Sequence, residues 1–317
     1  MKFNLISTTD NGVGLQADCL LLKGLLTSWG HKVELVHYKR VDAGSPRADV
    51  NIFLETMASA MLPFARQQWL IPNQEWFAPW DNTNIMPKMD KILCKTHDAV
   101  RIFKDLYPEL QNRIHHIGFE SKDNYDPSVP RQRRFLHIAG QSRYKNSPAV
   151  AYAFAKCFDD WDPKDRVELV FVGAYPEDFA FAKDSKNCRY IQRASDAEIK
   201  RLQNECLFHI IPSGAEGWGH AIHEALGVGA VCITTDFPPM NEFDGIPKEL
   251  YVRPQRDIQE LAARRALVGA YEVREGIEKA LKLPQARIDE IRTQARAAFL
   301  EQREYFRATF KSIVEAA

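Results

Sequence analysis

The chain has 317 residues, 45% apolar and 26% charged, with 42 Lys and Arg balanced by 42 Asp and Glu. That length suits two domains of roughly 150 residues, each with its own core, and the ordinary composition excludes collagen-like, low-complexity or disordered chains. With no formal net charge there is no global field to draw it to nucleic acid, and no apolar run nears the roughly 18 residues of a membrane span.

The apolar part of the first seven residues is too short for a signal peptide. The six cysteines (19, 94, 157, 188, 206 and 232) show no paired spacing. They read as buried thiols of a reducing compartment, neither a disulfide frame nor a zinc site. A cytoplasmic protein is expected, with room for peripheral membrane contact; the sequence sets no oligomeric state.

Residues 3–7 read as a first strand, Asp10, Asn11, Gly12, Val13 and Gly14 as a glycine loop, 17–28 as a helix ended by Gly30, and 32–38 as a second strand. Strand, loop, helix and strand in that order make a βαβ unit. Gly12 and Gly14 with Glu34 formally match a dinucleotide fingerprint, which opens a reading as an NAD(P)-dependent oxidoreductase. However, the glycines stand several residues beyond the strand, a longer loop than that tight turn allows. Strand-like runs at 50–53, 69–71, 91–94 and 115–117 give the first half a doubly wound pattern.

Two polar segments follow strands of this half. Asn73 and Glu75 stand among Trp76, Phe77 and Trp80, which suit either a sugar-stacking pocket or interdomain packing. Thr96, His97 and Asp98 follow the run at 91–94, where a lone histidine is structural as often as catalytic.

Residues 120–134 hold two prolines and many charges, including Arg131, Arg133 and Arg134, and read as a solvated linker. A fresh strand at 135–139, a helix at 148–158 and strands at 167–172, 189–192 and 208–211 announce a second Rossmann-like domain, with a mostly helical tail over 258–316. Asp160-Trp161-Asp162 spells a metal motif, but it follows a helix and precedes Pro163, so a surface turn is expected.

The run Glu216-Gly217-Trp218-Gly219-His220-Ala221-Ile222-His223-Glu224 carries most information. It follows an apolar strand and the punctuation Pro212-Ser213-Gly214, and good helix formers succeed it. Glu216 should sit in a strand-to-helix loop and Glu224 about a turn inside the helix. Glycines allow close backbone approach, and a helix N-terminus offers N–H groups to an anion. A carboxylate accepts from hydroxyls but repels phosphate, so the pattern suits a ligand with both sugar hydroxyls and a diphosphate. His220 and His223, three apart, lack an evident third metal ligand; His220 is expected in the sugar site and His223 as helix support.

This Glu-x7-Glu element resembles the donor-site signature of retaining GT-B glycosyltransferases, in particular glycosyltransferase family 4. The likeness extends through Asp196-Ala197-Glu198-Ile199 and Gly229-Ala230-Val231-Cys232-Ile233-Thr234-Thr235-Asp236. It implies an α/β GT-B fold: two Rossmann-like doubly wound domains facing across a cleft, with a C-terminal helix crossing back to the first. The domains are expected at 1–130, with about 300–317, and at 131–299.

It further implies a metal-independent, hexosyltransferase-like enzyme moving sugar from a nucleotide-diphosphate sugar to a hydroxyl acceptor, with no cofactor. Glu216, Lys145 and Arg143 are the implied catalytic residues, although Arg143 does not stand where the family's arginine usually does. Gly14, Ser213, Gly217, Trp218, Gly219, His220 and Glu224 would bind the donor, and Asn73, Glu75 and His97 lie on the acceptor side. A non-catalytic nucleotide-sugar-binding protein is the remaining alternative.

Overall fold

Each half of the chain builds its own sheet of six parallel strands. The computed structural model describes residues 1–8, 14–157 and 167–317; Gly12 and the Asp160-Trp161-Asp162 turn lie outside them. Unit 1 is Met1–Gly118 with Gln259–Ala263, and unit 2 is Phe119–Ile258 with Arg264–Ala317. Residues 300–317, assigned to the first domain from sequence, are thus grouped with unit 2.

Unit 1 runs β1 (Lys2–Ser7), α1 (Gly14–Ser28), β2 (Lys32–His37), β3 (Ala48–Leu54), β4 (Ala65–Ile71), β5 (Lys91–Cys94), α2 (His97–Leu106) and β6 (Ile114–His116). The strand order is β2-β1-β3-β4-β5-β6, all parallel. The inner strands are apolar runs because both faces are covered. Phe53, Leu70 and Ile92 pack with Phe77, Met86 and Phe103 on one face, while α1 buries Cys19, Leu22 and Leu26 and packs on β1 and β2. Helix α2 starts where the Thr96 hydroxyl accepts the Ala99 N–H at 3.1 Å, a cap that satisfies one orphan donor. The chain leaves β1 toward β2 on one side and later returns to place β3 on the other.

Unit 2 runs β7 (Gln132–Gly140), α3 (Ser147–Cys157), β8 (Leu169–Gly173), β9 (Cys188–Ile191), α4 (Asp196–Glu205), β10 (Cys206–Ile211), α5 (His220–Gly227), β11 (Val231–Thr235) and β12 (Tyr251–Val252). A hairpin of β13 (Arg256–Glu260) and β14 (Ala263–Leu267) follows, its tip Gln259–Ala263 being grouped with unit 1, then α6 (Ala270–Leu281) and α7 (Gln285–Glu315). The sheet order β12-β11-β10-β7-β8-β9 is the Rossmann order, reversing between the neighbours β7 and β10. All six residues of β10 are buried, as its central position requires. Ser195 caps α4 by accepting the Glu198 N–H at 3.2 Å. Along α7, Ile288, Ile291, Ala295, Phe299, Phe306, Phe310 and Val314 form one buried stripe.

The supposed linker is fastened along unit 2. Glu120 pairs with Arg307 at 2.7 Å, Asp123 with Arg296 at 2.8 Å and Arg303 at 3.2 Å. The Asn124 amide donates to Gln203 at 2.7 Å, and Arg134 bridges Glu168 and Glu205. Arg131 donates to the carbonyls of Gln203, Cys206 and Val228, and burial pulls its guanidinium down to about 10. Composition registers these charges as solvated because their partners stand tens of residues away in sequence.

Replacing Arg131 by Met should cost unit 2 about 2–3 kcal/mol, since three carbonyls lose a charged donor. Denaturant unfolding checks this, and an unchanged midpoint would show the three contacts to be incidental.

Candidate active site

At the reversal point of the second sheet, the loops leaving β7 and β10 are stitched together. After β7, Ser142 caps a single 3-10 turn, Arg143–Lys145, and Asn146 follows in the left-handed region at φ 52°. The Asn146 amide donates to the Pro212 carbonyl at 2.7 Å, and the Gly214 N–H donates to the Tyr144 carbonyl at 2.7 Å. These bonds bring the Lys145 ammonium onto the Glu216 carboxylate in an ion pair whose side chains are only 11% and 12% exposed. A Cβ on Gly214 would meet the Ala266 carbonyl at 2.5 Å, so no side chain fits there. Gly219, at φ 101°, turns the chain into α5, whose first N–H groups have no partner within the helix.

Around this pair stand most of the sequence-expected donor residues. Ser213 is buried, and its hydroxyl has no hydrogen-bond partner among the described residues. Its carbonyl accepts from Thr235 at 2.6 Å, and Thr234 ties β11 to the Ile211 carbonyl at 2.8 Å. Glu224, half-buried on α5, accepts from the Gln203 amide at 2.7 Å. Burial pushes its carboxyl above the usual range, against the opposing charges of His220, Lys122 and Lys145. Trp218 donates to the Ser121 hydroxyl at 3.3 Å, and Ser121 bonds His220 Nδ1 at 2.8 Å. If Ser121 donates to Nδ1, the His220 proton lies on Nε2.

Arg143 is not brought to this group. Its side chain, 61% exposed, pairs with Glu177 at 3.0 Å and lies over the Tyr175 ring at 4.2 Å. His223 is buried among Trp218, Phe243 and Phe299 at ring distances of 5.2, 6.0 and 4.5 Å, and neither ring nitrogen has a hydrogen-bond partner among the described residues. Burial lowers it to about 3. Sequence reasoning missed Gln203 and Ser121, which no local spacing announces because each comes from another element, and gave Thr234 and Thr235 no role beyond their place in the family-like stretch.

In unit 1, Gly14 opens α1 and is exposed. Asn73 bridges Lys95 at 3.0 Å and Glu55 at 2.8 Å. Glu75 is buried, while His97 is exposed and stacks on His116 at 3.8 Å. Of the aromatic residues weighed for a sugar pocket, Phe77 belongs to the core, whereas Trp76 and Trp80 are 50% and 64% exposed. Among the described residues no group of three His, Cys, Asp or Glu is placed to hold a metal, and no helix is long and apolar enough to cross a membrane.

Two parallel-sheet Rossmann-like units make up the GT-B fold. Residues 121–268 match the family described as glycosyl transferases group 1. The fold is that of a glycosyltransferase from Rickettsia africae ESF-5 (TM-score 0.73, 15% identity, covering 98% of this chain and 97% of that one). It is also that of an E. coli structure titled "Trehalose-6-phosphate", bound with UDP-2-fluoro glucose (0.69, 10%, 100% and 99%). A third is the pneumococcal O-GlcNAc transferase GtfA in complex with UDP and GlcNAc (0.64, 13%, 94% and 60%). No curated protein sequence matches the chain. Family match and fold together support glycosyl transfer from a nucleotide sugar.

His223 gives the site's helix a pH dependence. Its folded value, about 3, lies below the ordinary 6.5, so its neutral ring is favoured by folding. That contribution is complete above pH 6.5 and is lost as pH falls toward 3, amounting to about 2 kcal/mol by pH 5. His223→Phe should match the wild type at pH 8 and exceed it by about that amount at pH 5. Parallel stability curves from thermal melts across pH would refute the assignment.

Proposed function

We propose that the chain is a metal-independent retaining glycosyltransferase that moves a hexosyl group from a nucleotide-diphosphate sugar to a hydroxyl of a glycan or other glycoconjugate. The Lys145–Glu216 pair beside the α5 N-terminus carries this reading. Breaking the bond between the anomeric carbon and phosphate leaves positive charge on the sugar and negative charge on the diphosphate. A fixed ammonium and helix N–H groups stabilise that leaving group where its charge develops.

Donor binding would exchange partners: the diphosphate takes Lys145, and Glu216 is released to accept sugar hydroxyls. Arg143 could join, since an exposed pair such as Arg143–Glu177 costs little to open. Glu224 would hold the ribose hydroxyls, whose donated hydrogen bonds favour its ionised form against the burial that raises its carboxyl. Gly217, Trp218, Gly219, His220 and Ser213 would shape the donor pocket. The acceptor oxygen bonds to the anomeric carbon on the face the diphosphate leaves. Its proton passes to a leaving phosphate oxygen, so no protein nucleophile is needed.

Unit 1, with Asn73, Glu75 and His97, would present the acceptor. The free thiols of Cys19, Cys94, Cys188, Cys206 and Cys232 suit work in the cytoplasm. The UDP ligands of the E. coli and pneumococcal neighbours favour a uridine donor.

The deciding experiment measures nucleoside diphosphate release from UDP-, GDP- and ADP-glucose with and without EDTA, beside an NADH binding titration. At least one donor should turn over, and chelator should leave the rate unchanged. Silence with every donor while NADH binds would transfer the site to a nicotinamide enzyme. Loss in EDTA restored by Mg²⁺ would overturn the metal-independent route.

Lys145→Ala should lower kcat about a hundredfold and weaken nucleoside diphosphate binding less, because leaving-group charge grows toward the transition state. A rise in KM with kcat intact would make Lys145 an ordinary binding contact.

A further inference from the structure

Unit 1 holds a second polar constellation at a strand reversal, and sequence reasoning missed three of its four members. Asp18, in the first turns of α1, forms an ion pair with Lys95 at 2.8 Å, and both side chains are 3% exposed. Lys95 follows β5 directly and also donates to Asn73 Oδ1 at 3.0 Å. Asn73, beyond the end of β4, turns its other face to Glu55 and donates from Nδ2 to Oε2 at 2.8 Å. Glu55 is the residue immediately after β3.

The sheet order changes direction between β1 and β3, and open α/β sheets bind ligands beyond the carboxyl ends of strands at such a point. Asp18 follows β1 and Glu55 follows β3, so the group straddles that point. A buried ion pair must offset a large desolvation cost and is a poor stabilising device beside apolar packing.

Glu55 adds backbone strain, for its φ of 65° lies in the left-handed region that side-chain-bearing residues avoid. A glycine would sit there without strain, yet the position carries a carboxylate. Strain of this kind gathers at ligand sites, where surrounding structure holds it in place. Lys95 pairs with Asp18, and the second carboxylate, Glu55, reaches that pair only through Asn73. Among the described residues only Asn73 hydrogen-bonds its carboxylate, through Oε2. Burial pushes its carboxyl above the ordinary range, and the Asn73 hydrogen bond and the Lys95 charge oppose that rise.

We infer that Glu55, oriented by Asn73 and the Lys95–Asp18 pair, is the hydroxyl-recognising carboxylate of a site for a neutral sugar, and that this site rejects sugar phosphates. The excess negative charge calls for hydrogen-bond donors and repels phosphate, and a sugar's hydroxyls are such donors. The inference rests on the reading of unit 1 as the acceptor side and gives that side its ligand chemistry.

The test is saturation-transfer NMR on the full chain with glucose, mannose and N-acetylglucosamine, and with glucose 6-phosphate and glucose 1-phosphate. UDP affinity is measured alongside by calorimetry. At least one neutral sugar should bind, and the sugar phosphates should bind about tenfold more weakly. Glu55→Gln should weaken the neutral sugar about tenfold and leave UDP affinity unchanged. Glu55→Gly should lose sugar binding too, but raise the melting temperature, because glycine relieves the strained φ.

Equal sugar binding by Glu55→Gln and wild type, phosphates bound as well as neutral sugars, no neutral sugar bound, or a lower melting temperature for Glu55→Gly would each overturn the inference. Failure of the transferase reading would look different: wild-type protein that ignores every nucleotide sugar while still binding the neutral sugar.

Discussion

Strand order constrains everything else in unit 2. Because β7 and β10 are sheet neighbours but lie far apart in sequence, the loops leaving their carboxyl ends meet at the point where the strand order reverses, the place where open α/β sheets bind ligands. The Lys145–Glu216 pair lies between these two loops. Both charges are largely withdrawn from water, and their mutual attraction offsets part of that cost. The bonds from Asn146 to Pro212 and from Gly214 to Tyr144 hold the loop backbones so that the pair need not do so alone. The loop backbones are therefore tied independently of the side-chain pair.

Unit 1 uses the same device with the opposite charge balance. In unit 2 the reversal point combines an ammonium with helix N–H groups; in unit 1 the ammonium pairs with Asp18, and a second carboxylate, Glu55, is linked to it through Asn73. Two sheets of similar architecture thus offer surfaces of different electrostatic character. The difference comes from a few residues at strand ends, while the strands themselves stay apolar.

The fold was legible in the sequence to the extent that its signals are local. Apolar runs at 50–53, 69–71, 91–94 and 208–211 fall within β3, β4, β5 and β10, and the Gly-aromatic-Gly turn leads into α5 as spacing implied. Residues 120–134 were misread because charge and proline content describe a segment's solubility, not its partners. Glu120 meets Arg307, and Arg131 meets Val228, across sequence distances that no periodicity spans. Arg143 was expected at the phosphates because the family resemblance implies an arginine in this loop, although it stands off the usual position; its side chain lies against Glu177 and Tyr175. Glu55 and Lys95 left no trace at all: each is a single charged residue after a strand, and only the sheet order gathers them.

Gly214 limits how this scaffold could be rebuilt. Its carbonyl accepts the Ala266 N–H at 2.8 Å, and the space beside its Cα is filled by the Ala266 carbonyl. The second strand of the β13–β14 hairpin is thus in van der Waals register with the backbone two residues before Glu216. Grafting a hairpin from another protein of this fold onto the chain would transplant a wall of the carboxylate loop along with it. A donor hairpin displaced by a fraction of an ångström at position 266 would reset the reach of Glu216 toward Lys145, although the two segments lie about fifty residues apart in sequence.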